Sequence, residues 1–227
     1  MAKKTEKHVR LKILPLLITL AILLVLSVSF YLLTLVPIKN IYISGNKYLT
    51  DQEIIELAKI DDYPSFLRTT TSKLKNRLKK NTYIKNVKIT KKLPAEVHIE
   101  IEEKNILFRR EENSMIVLET GEEIDDHKRY IVPILLNYVP DTKYNTFLNK
   151  MTEVTENIKT QISEIRYYPN DQDEDRFLLY MTDGNYVYLT LTKFKQINYY
   201  EEVYSKLDGK KGILYLDSGN HFQIMSS

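Results

Sequence analysis

The pattern of apolar and polar positions opens with an unbroken run. From Ile13 to Ile38 no residue is charged, and about 20 such residues at 1.5 Å each suffice to cross the hydrocarbon core of a bilayer. Lys12 and Lys39 bracket the run, Pro15 falls near its first turn and Pro37 closes it. A cleaved signal peptide has an apolar centre of only about 7–15 residues and a small-x-small exit. The exit here, SVSFYLLTLVP, is bulky. The run therefore predicts an uncleaved transmembrane helix over 13–36.

Past it the period changes. In IKNIYISG, Ile41 and Ile43 alternate onto one face before a turn at Gly45-Asn46. Thr50 stands three before Glu53, a capping-box pattern, and Ile54, Leu57 and Ala58 follow on one helical face. A second helix is expected over roughly 70–80, with Leu74 and Leu78 one turn apart. Then Val87 and Ile89 alternate, Leu93-Pro94 makes a turn, and Val97, Ile99 and Ile101 alternate again, the pattern of a hairpin with one buried face. Residues 37–105 thus read strand, helix, helix, strand, strand.

Residues 106–227 read as a second α+β domain. ILF and MIVL precede a turn at 119–122, followed by PILLNYV. A helix is expected over about 145–159, with Phe147, Met151, Val154 and Ile158 on one face. EIRYY, a polar loop at 169–176 and a hairpin turning at Asp183-Gly184-Asn185 come next. A helix over 193–207, carrying Phe194, Ile197, Val203 and Leu207, leads to two last strands about Ser218-Gly219-Asn220.

Charge sharpens the picture. The net charge of +3 hides a tail, residues 1–12, with five basic residues against Glu6, hence +4; the remaining 28 basic and 29 acidic residues net −1. A general nucleic-acid binder is not indicated. A basic tail favours the cytoplasm and sends residues 38–227 across the membrane. Between Tyr63 and Ala95 there are ten basic residues and no acidic ones; between Glu96 and Asp126 there are eleven acidic residues against Lys104, Arg109 and Arg110. Either the two stretches neutralise each other across the hairpin, or the basic one lies near anionic lipid headgroups or wall polymers.

The run VPIKNIYISGNKYLTDQEI, with YIKNVKITKKLPAEVHIEIEEKNILF some 30 residues later, resembles the POTRA domain of the FtsQ/DivIB family of cell division proteins. The matching positions are Ile41, Ile43, Gly45, Asn46 and Ile54, then Ile84, Val87, Ile89, Lys91, Pro94, Val97, Ile99, Ile101 and Glu103. Tyr83 stands where that family commonly has Trp, and Asn105-Ile106 replaces a Pro-containing pair. The order of elements beyond residue 106 is that of the family's second, β-type domain, and Ile213, Leu216, Asp217 and Asn220 can be laid on its closing strands, whereas Ser218 and Gly219 depart from it. The resemblance implies a non-catalytic protein at the division septum, anchored once in the plasma membrane with its C-terminus outside. It implies partners of the DivIC/FtsB and FtsL type, and it extends to the septal peptidoglycan synthase. Docking would fall on the closing strand region, with Ile213, Tyr215, Leu216, Phe222 and Ile224 as candidate contacts.

Catalytic readings find no support in the residues. Cysteine is absent, and His8, His98, His127 and His221 are scattered. Asp171, Asp173 and Asp175 resemble the start of a calcium loop, yet Arg176 stands where glycine is needed and Thr182 where the closing glutamate should be. Asp217, Ser218 and His221 crowd one tight turn, with no G-x-S-x-G. No cofactor is expected. The alternative is a POTRA-bearing component of polypeptide transport or membrane assembly. Such proteins carry a barrel, and no series of about ten-residue amphipathic strands follows here.

Overall fold

The structure is a computed structural model describing residues 13–207 and 209–225. The basic tail, residues 1–12, lies outside the described residues. Chain contacts divide the protein into two compact units, Met1–Glu103 and Lys104–Ser227.

In the first unit, helix α1 spans Ile13–Thr34 and buries none of its side chains. It is apolar all round rather than along one stripe, the composition of a helix whose surroundings are lipid. Strand β1 (Asn40–Ser44), helices α2 (Asp51–Ala58) and α3 (Thr71–Leu78), and strands β2 (Ile84–Lys92) and β3 (Glu96–Glu103) follow. The sheet order is β1-β3-β2, with β1 parallel and β2 antiparallel to the central β3. Ile54, Leu74, Leu78, Val87, Val97, Ile99 and Ile101 pack one core between this sheet and the helices.

Local chemistry sets the corners. Thr50 Oγ1 accepts from the Glu53 N–H at 3.3 Å, and Glu53 Oε2 accepts from the Thr50 N–H at 2.7 Å, which closes the expected capping box. Gly45 has φ +82°, and a Cβ there would lie 2.1 Å from the Ile101 carbonyl oxygen, so no side chain fits. The Glu103 carboxylate, 9% exposed, accepts the N–H groups of Lys47, Tyr48 and Leu49 at 3.0, 2.6 and 3.1 Å. Those three donors would otherwise be orphaned ahead of α2. Lys85–Glu102 and Lys88–Glu100 pair across the hairpin at 3.2 Å, so part of the opposed charge is neutralised there.

The second unit is one sheet of nine described strands in the order β12-β11-β10-β9-β8-β7-β4-β5-β6. Their ranges are β4 Ile106–Arg110, β5 Met115–Leu118, β6 Glu123–Asp125, β7 Ile134–Leu135, β8 Ile162–Tyr167, β9 Arg176–Met181, β10 Tyr186–Thr190, β11 Gly212–Tyr215 and β12 His221–Ile224. Helices α4 (Asp141–Thr152) and α5 (Glu156–Gln161), a 3₁₀ helix (Leu191–Tyr199) and α6 (Tyr200–Tyr204) complete it. At the centre Phe147 stacks on Phe177 at 4.8 Å, and Phe194 meets both edge-on at 5.8 Å.

Three expectations change. The helix expected over 145–159 is two helices, although Phe147, Met151, Val154 and Ile158 are all buried. The break is held by Asn198, whose side chain accepts the Thr155 N–H and donates to the Glu153 carbonyl, both at 2.9 Å. The helix expected over 193–207 is 3₁₀ before a single short α segment. Leu191, Phe194, Ile197 and Tyr200 are buried at a spacing of three, the period of a 3₁₀ helix. PILLNYV supplies only the two-residue β7.

Ile99 is 1% exposed, whereas His98 stacks on Tyr42 at 4.6 Å on the other face. Ile99→Ala should cost about 2–5 kcal/mol and His98→Ala under about 1 kcal/mol. Urea unfolding of the full chain in mild detergent checks the contrast; equal, small losses would contradict the register.

Candidate partner-docking site

The closing strands are placed by a crossover. β11 runs parallel to β10, with Tyr186, Val187 and Tyr188 opposite Ile213, Leu214 and Tyr215. A parallel pair cannot be joined by a tight turn, so residues 191–204 pass over the sheet as the 3₁₀ helix and α6. β12 then folds back antiparallel on β11 and, among the described residues, pairs with no other strand.

The direction of the free backbone groups follows from one bond. Met225 N–H donates to the Lys211 carbonyl at 3.0 Å, flanking the Gly212/Ile224 pair. That pair is therefore the non-hydrogen-bonded type, and Ile213/Gln223 is the bonded one. Gln223 turns its N–H and C=O inward to β11. Phe222 and Ile224 turn theirs outward, away from the sheet.

Two buried polar clusters pin β11. Asn185, 1% exposed, accepts the Gly212 N–H on Oδ1 at 2.8 Å and donates to Tyr200 Oη at 2.9 Å. Tyr200 Oη in turn donates to Asp183 Oδ2 at 2.7 Å. Burial first, and then the bond to Asp183, push the Tyr200 hydroxyl pKa up, so this group stays protonated as a donor. Gly212 tolerates no side chain, because a Cβ would lie 2.2 Å from the Gln223 carbonyl oxygen and 2.6 Å from the Phe222 ring. At the other end of β11, Asp217 Oδ2 accepts from Arg176 Nε at 2.7 Å, with the side chains 8% and 11% exposed. The Arg176 guanidinium also lies 3.7 Å above the Tyr188 ring.

The sheet's two faces differ here. On the outer face, tyrosines meet across strands: Tyr180 with Tyr186, Tyr188 with Tyr215, and Tyr215 with His221, the last stacked at 4.6 Å. On the core face, Leu214, Leu216 and Phe222 line a groove of about 410 Å³ with Gln196, Tyr199, Tyr200, Val203 and Asn220.

Of the five candidate contacts, Phe222 and Ile224 stand on the edge strand, with Ile224 54% exposed and Phe222 packed half-buried beside the core. Ile213 and Tyr215 are one strand in, on the outer face. Leu216 is buried in the core and reaches the surface only through the groove. Asn185, Tyr200 and Asp183, the residues that fix the edge, are not legible in the sequence, because Asp183-Gly184-Asn185 reads simply as a turn.

The acidic loop is knit by its own bonds: Asp173 Oδ1 accepts the Asp175 N–H at 2.8 Å, and Asp175 pairs with Lys143 at 2.5 Å. Among the described residues no group of three or more His, Cys, Asp or Glu is placed to hold a metal ion. Asp217 is committed to Arg176, and His221 to the Tyr215 ring.

Residues 36–104 match the family described as POTRA domain, FtsQ-type, and residues 107–218 match the one described as Cell division protein FtsQ/DivIB, C-terminal. The cell division protein DivIB of Bacillus cereus is 30% identical over 189 residues, 80% of this chain and 74% of its own length. The chain belongs to the FtsQ/DivIB family. The DivIB of Bacillus cytotoxicus is 29% identical over 215 residues, 92% of this chain and 84% of that one. The DivIB of Bacillus subtilis is 28% identical over 213 residues, 91% and 81%. The solved extracytoplasmic domain of Geobacillus stearothermophilus DivIB (trans isomer) overlays 47% of this chain and 96% of its own at 22% identity and TM-score 0.39, which adds no weight to the assignment. With the FtsQ/DivIB C-terminal domain following the POTRA domain, the transport alternative falls away. The protein is a non-catalytic, single-pass membrane protein of the cell division machinery that acts through protein contacts outside the cytoplasm.

Asn185→Ala leaves the buried Gly212 N–H without its acceptor and the Tyr200 hydroxyl with Asp183 alone, and should cost about 1–3 kcal/mol. Its amide-exchange signature is specific: protection should fall in β11 and β12 before β8 and β9. Uniform loss across the sheet would contradict the pinning role.

Proposed function

We propose that this protein holds the division complex together by taking a strand from a partner along β12. The partner is of the DivIC/FtsB type, bound with an FtsL-type companion, and the assembly steadies the septal peptidoglycan synthase. The tail at residues 1–12 stays in the cytoplasm, and both folded units work outside it.

The observation that carries this reading is the outward backbone of Phe222 and Ile224 beside an apolar groove. An added strand gains main-chain hydrogen bonds from those groups, while an apolar side chain every second residue can enter the groove. The Ile224 side chain and the Tyr215–His221 stack supply area on either side of the strand.

Proline separates the edge from the fold. Ile224→Pro removes an outward N–H that bonds nothing in the sheet. In full chain held in nanodiscs it should weaken binding to the extracytoplasmic segment of a DivIC-type partner at least about tenfold, with melting little changed. Gln223→Pro removes an inward N–H and should lower the melting temperature. Unchanged affinity for Ile224→Pro would remove the partner from this edge.

A further inference from the structure

The junction between α1 and the first unit is bonded rather than loose. Beyond Thr34, the Leu35 and Val36 N–H groups still reach the carbonyls of Leu32 and Leu33. Pro37 and Ser65 then form a short antiparallel bridge, flanked by Phe66 N–H to the Val36 carbonyl at 2.8 Å and Ile38 N–H to the Pro64 carbonyl at 3.0 Å. Ser65 Oγ donates to the Thr34 carbonyl, and Arg68 Nη2 donates to Thr34 Oγ1 at 3.1 Å. The segment 64–68 is thereby tied to the last residue of the spanning helix. A 22-residue helix is about 33 Å long and a hydrocarbon core about 30 Å thick, so Thr34 and Arg68 stand at the headgroup level.

The topology brings a second segment to the same end. β1 leaves the junction at Asn40 and β3 runs parallel to it, starting opposite Asn40 at Glu96. The Lys39 N–H donates to the Ala95 carbonyl at 2.9 Å. The β2–β3 turn therefore lies at the anchor end, and its tip, Leu93, is 83% exposed. Leu67, on the segment bonded to the helix end, is 42% exposed. Both are flanked by cations: Arg68 beside Leu67, and Lys92 beside Leu93, each exposed. Lys91 braces one loop against the other, its ammonium donating to the carbonyls of Phe66 and Thr69 and lying 4.1 Å above the Phe66 ring. Over 36–40, 59–70 and 91–96 there are five basic residues (Lys39, Lys59, Arg68, Lys91, Lys92) against Asp61, Asp62 and Glu96.

We propose that this rim is a lipid-contact site: Leu67 and Leu93 enter the outer interface of the bilayer that holds α1, and Arg68 and Lys92 take phospholipid phosphates. The occupant is fixed by continuity, because Arg68 is hydrogen-bonded to the end of a helix that lipid must surround. Apolar tips each beside a cation are the composition an interface accepts, the leucines seated among acyl carbonyls and the long basic stems reaching outward to phosphate. A modest tilt of the helix, typically about 20°, accommodates two contact points. The contact turns a single anchor, free to spin and tilt, into one that holds the POTRA domain at a set angle to the membrane.

The chain has no cysteine, so single labels are clean. Full chain carrying Leu67→Cys, Leu93→Cys, Thr82→Cys or Leu24→Cys, labelled with an environment-sensitive fluorophore, is placed in phosphatidylglycerol-containing nanodiscs with a nitroxide near the lipid headgroup for the first three and near the end of the acyl chain for Leu24. Thr82 is exposed and lies just before β2, at the opposite end of that strand from Leu93, and Leu24 lies mid-helix. The labels at Leu67 and Leu93 should be quenched at least about twofold more than the label at Thr82. Quenching at Leu24 with none at Leu67 or Leu93 would overturn the lipid contact while leaving the anchor standing. No quenching at Leu24 would overturn the spanning reading and the rim contact together. Shielding of Leu93 by added peptidoglycan in place of lipid would also overturn it.

Discussion

The parallel pairing of β10 with β11 is the constraint on which the closing edge of the second unit depends. Parallel neighbours need a crossover, and here the crossover is the 3₁₀ helix and α6, packed on the sheet through Leu191, Phe194, Ile197 and Tyr200. The same crossover walls the groove with Gln196, Tyr199 and Val203. One side of β11 is taken by β10 and the other by β12, whose outer side pairs with no strand among the described residues. Edge and groove are two results of one topological choice. Such an edge is ordinarily a hazard; in the strand addition we propose it is the working part.

Holding that edge requires buried polar chemistry rather than more apolar area. β11 is four residues long, β12 is four, and Gly212 at the start of β11 has no side chain to pack. The Asn185–Tyr200–Asp183 cluster and the Arg176–Asp217 pair fix the two ends of β11. Neutral hydrogen bonds contribute about 0.5–1.5 kcal/mol each, but leaving one buried partner alone costs about 1–3 kcal/mol. The clusters therefore select one register more than they add stability. The Glu103 carboxylate does the same in the first unit, gathering three N–H groups from the turn before α2.

The first unit is legible in the sequence because each of its elements is locally consistent. The Thr50–Glu53 box, the Val97, Ile99 and Ile101 alternation and Gly45-Asn46 all point to the geometry that forms. Gly45 is readable as a turn former, but the Ile101 carbonyl that forbids a side chain there is 56 residues away and invisible locally. The second unit is less legible where tertiary bonds overrule period. Phe147, Met151, Val154 and Ile158 keep a helical spacing through a break that Asn198 makes possible from another element. The residues 191, 194, 197 and 200 carry their 3₁₀ signal in plain view, since a spacing of three is not a spacing of 3.6. At the candidate site, the closing strands and their turn are legible. Which of the two forms the edge is not, because strand order depends on the crossover and not on either strand's composition.

Residue-resolved amide exchange of the full chain in nanodiscs, with and without a DivIC-type partner, bears most directly on strand addition at β12. In the free protein the Gln223 amide should be protected while Phe222 and Ile224 exchange freely, since of these three only Gln223 donates inward. On binding, Phe222 and Ile224 should slow by at least about a hundredfold, with Gln223 little changed, because a partner strand accepts those two N–H groups. Slowing confined to other strands, with Phe222 and Ile224 still exchanging freely in the complex, would contradict it.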